Sequence, residues 1–501
     1  MIGTVAFVVL GVLAAGPNPA ENKELYRSCV RSHADSMLEH GTDRYGHVQT
    51  PLFMSIIDIA SESSPPDPLP LDGYIRAEER QHRRNPAGSD LWEDQPLLRT
   101  LYTLSELTGE SRYADACDAY IQTYFERSRK ENGLLAWGSH IYYDAYKDAP
   151  GGDGDGAGPH EILVLLPEWE RMWRVTPDLF QQEVEGIWEW HVVDKETGLH
   201  NRHDDKSVGC DFAFSGGSFL QAFAFMYRKT GEPKYLDWAK TVAGRHWNAR
   251  NPETNLAPDA PSTGDRYDAH HCFTTVTGPH AAALLRAYEL TNDPWFRDVA
   301  LAYVKAYLQY GWDNDARQWR AMLALDGTPV MDQAMDDHYD LWKPVGYIDI
   351  WRTVMFSYEF PMIAAQTSIY AYELSGDPAA LESAQHWAEN IRSNLPPQIG
   401  RRWKKELLEC LPEAEQTGGT YAENYGRAIS FFLHLHYATG DTADLATATA
   451  LADEAISKLY VNGWFKGHPA KPYYESTDGV GLLLYALLEL SEYPNRMPGN
   501  F

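Results

Sequence analysis

Basic residues are scarce in this chain: 43 Lys and Arg stand against 71 Asp and Glu, a net charge of −28 over 501 residues. That balance excludes nucleic acid and anionic membrane surfaces as partners, because both demand basic patches that displace counterions. A polyanionic ligand is admissible only where a bound cation and clustered arginines reverse the field locally. Cysteine is also sparse. Cys29, Cys117, Cys210, Cys272 and Cys410 are odd in number and widely scattered, which gives neither a disulfide framework nor a CxxC metal knuckle. After the first residues no apolar run is long enough for a transmembrane helix, so no membrane insertion is expected. The glycine-rich Gly151–Gly158 lacks a preceding strand and a following Lys-Ser/Thr, which excludes a phosphate loop; it reads as a connection delivering Pro159 to Glu161.

What the chain has in quantity is apolar and aromatic mass, 44% hydrophobic and 13% aromatic with 16 Trp and 30 Tyr, enough for a large core. Some of those rings suit sugar faces, while most are core. Val5 to Ala15, followed by G-P-N-P-A, is too short to span a bilayer and resembles the apolar region of a secretory signal peptide, although no Lys or Arg precedes it. Residues 1–20 are therefore expected to be a signal peptide with a truncated start, 21–501 a single catalytic domain, and the protein periplasmic or secreted.

Helical periodicity dominates, and one phrase recurs: a helix, a small polar turn, then a second helix rich in Ala and aromatics. The turns fall at Thr108, Thr176, Thr230, Thr291, Ser375 and Thr439, 54 to 84 residues apart. Gly or Asn ends the first helix, and Thr, Ser or Asp with a following Pro begins the next. Six such hairpins, with a helix near Gly479 to Ser491 pairing one near Asn22 to His40, predict an all-α (α/α)6–7 toroid. An open superhelix is the alternative, but its repeats are shorter and more uniform.

Several second helices lead into a Gly-containing or polar extended phrase: N-G-L-L-A-W-G-S-H, T-G-L-H-N-R-H, D-N-D-A-R-Q-W-R-A-M and V-N-G-W-F-K-G-H. At equivalent points of the repeat these phrases gather on one rim, where loops on a rigid scaffold carry function. His140 and the neighbours Arg202 and His203 lie on two of them, and Glu161 follows Pro159. Two imidazoles and a carboxylate suit a borderline divalent ion such as Mn²⁺, Zn²⁺, Co²⁺ or Ni²⁺. Asp265 to His271 and Asp336 to Asp340 are competing clusters.

Thr42 to Phe53 (T-D-R-Y-G-H-V-Q-T-P-L-F), W-G-S-H-I-Y-Y-D, P-H-E-I-L and N-R-H resemble segments of the exolytic pectate lyases of polysaccharide lyase family 2, which are (α/α)7 toroids. The resemblance runs over most of the chain. It implies that His140, Glu161 and His203, spaced 21 and 42 residues apart, hold a divalent metal, Mn²⁺ first, with Mg²⁺, Ca²⁺, Co²⁺ or Ni²⁺ as alternatives. It implies further that Arg202 is the Brønsted base in β-elimination on a uronic-acid polymer or oligomer, polygalacturonate first, with an alkaline optimum. Tyr142, Tyr143 and Tyr267 are fallback bases. The family's later lysine has no clear match; Arg320 is the expected substitute, with Lys343 another. Arg44, Tyr143 and Arg352 are the expected substrate contacts. The alternatives are a hydrolase on the same toroid, drawing a carboxylate pair from Asp153, Asp155, Glu423 and Asp478, and a carbohydrate-binding protein without turnover.

Overall fold

The computed structural model describes residues 19–65, 87–138, 140–152, 158–162, 164, 167–262, 268–332, 343–352, 359–402 and 404–500. Among these, the ring-building helices are α1 (Pro19–His40), α2 (Gln95–Thr108), α3 (Ser111–Arg127), α4 (Trp169–Val175), α5 (Pro177–Trp190), α6 (Ala213–Thr230) and α7 (Pro233–Ala249). They continue with α8 (Ala281–Thr291), α9 (Pro294–Gly311), α10 (Pro361–Ser375), α11 (Pro378–Arg392), α12 (Ala422–Thr439), α13 (Thr442–Leu459) and α14 (Val480–Glu492). Consecutive helices from α2 to α13 pair into six hairpins, and α14 pairs with α1 as the seventh. The even-numbered helices form the inner ring, which α14 closes by packing between α12 and α2. The architecture is an all-α (α/α)7 toroid. No helix among the described residues is long and apolar enough to cross a membrane.

Position in the ring follows from where apolar residues fall. Outer helix α3 buries Tyr113, Cys117, Tyr120, Ile121 and Tyr124, the stripe of an amphipathic helix with one wet face. Inner helix α14 buries every residue from Val480 to Ser491 and has no wet face. Closing an inner ring needs small residues at the crossings. A Cβ on Gly481 would lie 2.3 Å from the Leu97 amide nitrogen, and one on Gly426 would lie 2.5 Å from that of Leu483.

The repeated turn has one chemistry. At Thr108, Thr230, Thr291, Ser375 and Thr439 the hydroxyl donates to the carbonyl four residues back and accepts the amide two residues on. The intervening residue, Gly or Asn292, takes the left-handed conformation that ends the helix. Asp293, Asp377 and Asp441 then cap the outer helix, accepting from Trp295, Ala379 and Ala443. Lys240 and Lys305, each on the preceding outer helix, grip Asp293 and Asp377 and staple neighbouring hairpins together.

Four outer helices lead to the rim through a short antiparallel pairing: α3 through the bridge Arg129–Leu135, and α5, α9 and α13 through Val192–Asp194 with Leu199–His200, Trp312–Asp313 with Gln318–Trp319, and Tyr460–Val461 with Trp464–Phe465. The chain then makes the same return bond each time: the amides of Ala136, Asn201, Arg320 and Lys466 donate to the carbonyls of Ser128, His191, Gly311 and Leu459. At the opposite, base end, residues 498–500 enter the ring axis. Arg99 of α2 donates to the Gly499 carbonyl, Gln366 of α10 to the Asn500 carbonyl, and the Asn500 amide to Ser430 of α12.

Base-side ends of three inner helices meet at His434 of α12. Its Nδ1 lies 2.8 Å from Glu373 of α10 and its Nε2 3.2 Å from Glu489 of α14. Burial alone would lower this imidazole, but the two carboxylates override it and raise it from 6.5 to about 9. A raised folded-state value means that the clamp is at full strength below pH 6.5 and is lost as pH climbs through about 9, a contribution on the order of 3 kcal/mol. We predict that denaturant unfolding at pH 6 and pH 10 will show the wild-type advantage over His434→Gln shrinking by about that amount; an unchanged difference contradicts the clamp.

Candidate active site

Three extended segments lie side by side on the rim. The Glu161 amide donates to the Trp137 carbonyl at 3.3 Å, and Glu161 and His203 form an antiparallel bridge in which the Ile162 amide donates to the Arg202 carbonyl at 3.2 Å. This places one ligand atom each from His140, Glu161 and His203 within 4.8 Å of one another. His203 Nε2 is 3.2 Å from Glu161 Oε1, His140 Nε2 is 3.8 Å from Oε2, and Arg202 Nε is 3.2 Å from Oε1. Two imidazole nitrogens and a carboxylate converging this closely form a donor set that fits a divalent cation of the Mn²⁺–Zn²⁺ series.

Glu161 is fully buried. Burial pushes its carboxyl up, yet Arg202 first, then His203 and His140, overcome that push and hold it well below the ordinary value. The Arg202 guanidinium, only 2% exposed, lies 5.2 Å from the Phe212 ring. From there aromatic contacts run through Phe214 to Phe360, which carries the Arg352 guanidinium 4.8 Å above its ring. Gly138 permits the close approach of the first two segments: its φ is +110°, and a Cβ there would lie 2.7 Å from Glu161 Cβ.

Beneath these groups runs a buried chain that sequence reasoning missed. Glu183 Oε1 meets His160 Nε2 at 2.8 Å, His160 Nδ1 meets His191 Nε2 at 2.7 Å, and His191 Nδ1 meets the Asn201 carbonyl at 2.8 Å. Burial, then the neighbouring His160, holds the His191 imidazole well below its ordinary value, so it is neutral. A neutral His191 donating to a carbonyl must accept from His160. The proton between His160 and Glu183 is then a third one, shared in an imidazolium–carboxylate pair or its neutral form. Glu183 Oε2 also accepts the Leu135 amide, while Asp204 accepts the His160 amide and the side chains of Lys130 and Asn132. The only sequence signal was His160 beside Glu161; the contacts with Glu183 and His191 are long-range.

Other expectations fare differently. Arg320 is not brought to the triad: it makes the same return bond as Asn201, one position short of Arg202, and its side chain bonds Asp313 and the Tyr310 and Trp312 carbonyls. Tyr143 is corrected as a substrate contact and as a base. It is fully buried in the core, and burial raises its hydroxyl to about 12. Alternation along Ile141–Asp144 gives the His140 face to Tyr142 instead. Arg44 is exposed in the loop docked on Asp148, and Arg352 is buried. Lys343 and His271 both hold Asp268, which against the push of burial sits at about 2. Glu423 and Asp478 are held by Arg427 and buried Lys471. Asp153, Asp155, Asp265, Tyr267 and Asp336 to Asp340 lie outside the described residues.

The rim of the toroid thus gathers two histidines, a buried carboxylate and an arginine. A family model described as periplasmic pectate lyase matches residues 78–214, the span containing all four groups. A pectate disaccharide-lyase of Dickeya dadantii (strain 3937) is 26% identical over 264 residues, covering 46% of this chain. The chain spans 45% of that relative's length. The chain thus resembles the exolytic pectate lyases of polysaccharide lyase family 2. Among solved structures, a D-mannose isomerase aligns over 93% of this chain and 97% of its own at 11% identity and a TM-score of 0.48. A GH76 α-mannanase of Bacteroides thetaiotaomicron aligns over 95% and 98% at 10% identity, with a TM-score of 0.48.

Gly138→Ala is expected to destabilise the fold by about 1–3 kcal/mol, because both the backbone conformation and the Glu161 contact resist a methyl group. A melting temperature equal to wild type contradicts this.

Proposed function

We propose that this protein is an exported, metal-dependent polysaccharide lyase that cleaves a uronic-acid polymer, polygalacturonate first, by β-elimination from a chain end. The observation that carries the reading is the convergence of His140, Glu161 and His203 with the Arg202 guanidinium against the same carboxylate. In support, the matched family is periplasmic and the matched relative is a pectate disaccharide-lyase. In a chain of net charge −28, this cluster is where an acidic sugar meets positive charge.

His140, Glu161 and His203 would hold the ion, with Mn²⁺ preferred. When bound it supplies Lewis-acid polarisation of the uronate carboxylate and a positive charge that lowers the proton affinity of Arg202. Arg202, held between Glu161 and the Phe212 ring, takes the proton from C5. The electron pair forms the C4–C5 double bond as the C4–O glycosidic bond breaks, the departing oxygen takes a proton from water, and Arg202 gives up the C5 proton to solvent. The Glu161 carboxylate returns Arg202 to register after proton loss. An arginine must be neutral to act as base, so the rate should climb toward alkaline pH. The aromatic run ending at Arg352 offers a second guanidinium for a neighbouring uronate. Of the carboxylates a hydrolase would draw on, Glu423 and Asp478 are in ion pairs with Arg427 and Lys471, and Asp153 and Asp155 lie outside the described residues.

The test is ultraviolet absorbance of an unsaturated product from polygalacturonate and a panel of other uronate polymers, with Mn²⁺ added and then chelated. We expect a rise that chelation abolishes. A saturated reducing sugar as sole product establishes a hydrolase, and binding without any product establishes a non-catalytic protein. His140→Ala, Glu161→Ala and His203→Ala are each expected to weaken metal binding. Arg202→Ala should keep the metal and lower kcat by roughly 10²–10⁴-fold; full activity in that variant removes Arg202 as base.

A further inference from the structure

Arg202 and His203 lie on an irregular segment between His200, the last residue of a β-turn pair, and Ala213, the first of α6. Its backbone is tied by the Ile162 amide to the Arg202 carbonyl, the Arg202 amide to Cys210 and the Asn201 amide to His191, while the His203 amide donates to the Asn201 side chain. Both side chains must stay in register with Glu161. We infer that Glu183 and His191 are positioning residues that hold Arg202 and His203 against Glu161 through the chain Glu183–His160–His191–Asn201. This rests on the reading of the site as a metal centre with an arginine base.

The geometry supports a positioning role over simple core filling. His191 is the first residue after α5, so a rigid helix end sets its place. One ring nitrogen takes the Asn201 carbonyl and the other takes His160, the neighbour of Glu161. Any shift of this one imidazole therefore moves two of the three ligand-bearing segments relative to each other. Glu183 reaches the third through the Leu135 amide at 2.8 Å, upstream of His140. Glu183, His160, His191 and Asn201 are all fully buried, with Trp137 5.6 Å from His160 and Phe219 5.0 Å from His191. No water competes there, so each bond keeps its direction. A neighbouring histidine shows the contrast. His246 is equally buried and donates to the Asp259 carbonyl; its ring packs on those of His200 and His280, and among the described residues no hydrogen bond links it to Glu161, Arg202 or His203.

The test uses Co²⁺ alone as probe, following affinity by titration and site geometry by the visible absorption band, with circular dichroism as a folding check. His191→Gln keeps an acceptor toward His160 but loses Asn201, whereas His191→Asn keeps the donor toward Asn201. His191→Gln and Glu183→Gln should weaken Co²⁺ by roughly 10–100-fold and shift the band. His191→Asn should recover most of the affinity, and His246→Asn should lower the melting temperature while leaving affinity and band as in wild type. Native affinity and band in Glu183→Gln and His191→Gln, or an equal loss in His246→Asn, overturn the inference. If His191→Gln does not fold, Glu183→Gln and His191→Asn decide. If wild type itself binds no Co²⁺, the metal reading falls and takes the inference with it, an outcome distinct from native binding in the variants.

Discussion

A carboxylate without solvent has to be neutralised by its neighbours, and the rim of this toroid is arranged around that demand at Glu161. Burial by itself would drive the group to its protonated form; the guanidinium of Arg202 and the imidazoles of His203 and His140 keep it ionised instead. The four side chains come from three segments, two on the connection between α3 and α4 and one beyond α5, so the charge balance holds only if the segments hold. Loss of any one positive partner leaves a buried charge uncompensated, which is more costly than the pair is favourable. The site and the local stability of the rim are therefore the same interaction viewed from two sides.

Much of the scaffold was legible because its signals are local. Thr108, Thr230, Thr291, Ser375 and Thr439 announce each hairpin through a hydroxyl that serves both helices, and the Gly or Asn that follows allows the reversal. The pairing of α14 with α1 was equally readable, since a helix apolar over most of its length needs another outside it. The rim phrases were recognisable as equivalent, and the common return bond at Ala136, Asn201, Arg320 and Lys466 is the physical basis of that equivalence.

That same register explains where sequence reading stopped. Arg320 was expected in place of the family's later lysine, but its return bond aligns it with Asn201, and a displacement of one position exchanges the face of an extended segment. Tyr143 failed for the same reason, with Tyr142 on the side that His140 occupies. Glu183 and His191 carry no motif at all. Their significance lies in a chain of contacts between residues far apart in sequence, which periodicity cannot report.

The inner ring is not an open bore. Residues 499 and 500 sit on its axis, bound by Arg99, Gln366 and Ser430 from three inner helices. The molecule is a cup with a floor, and traffic is one-sided: whatever enters by the mouth must leave by it. On the proposed reading of the site, a polymer is engaged and released at that mouth alone.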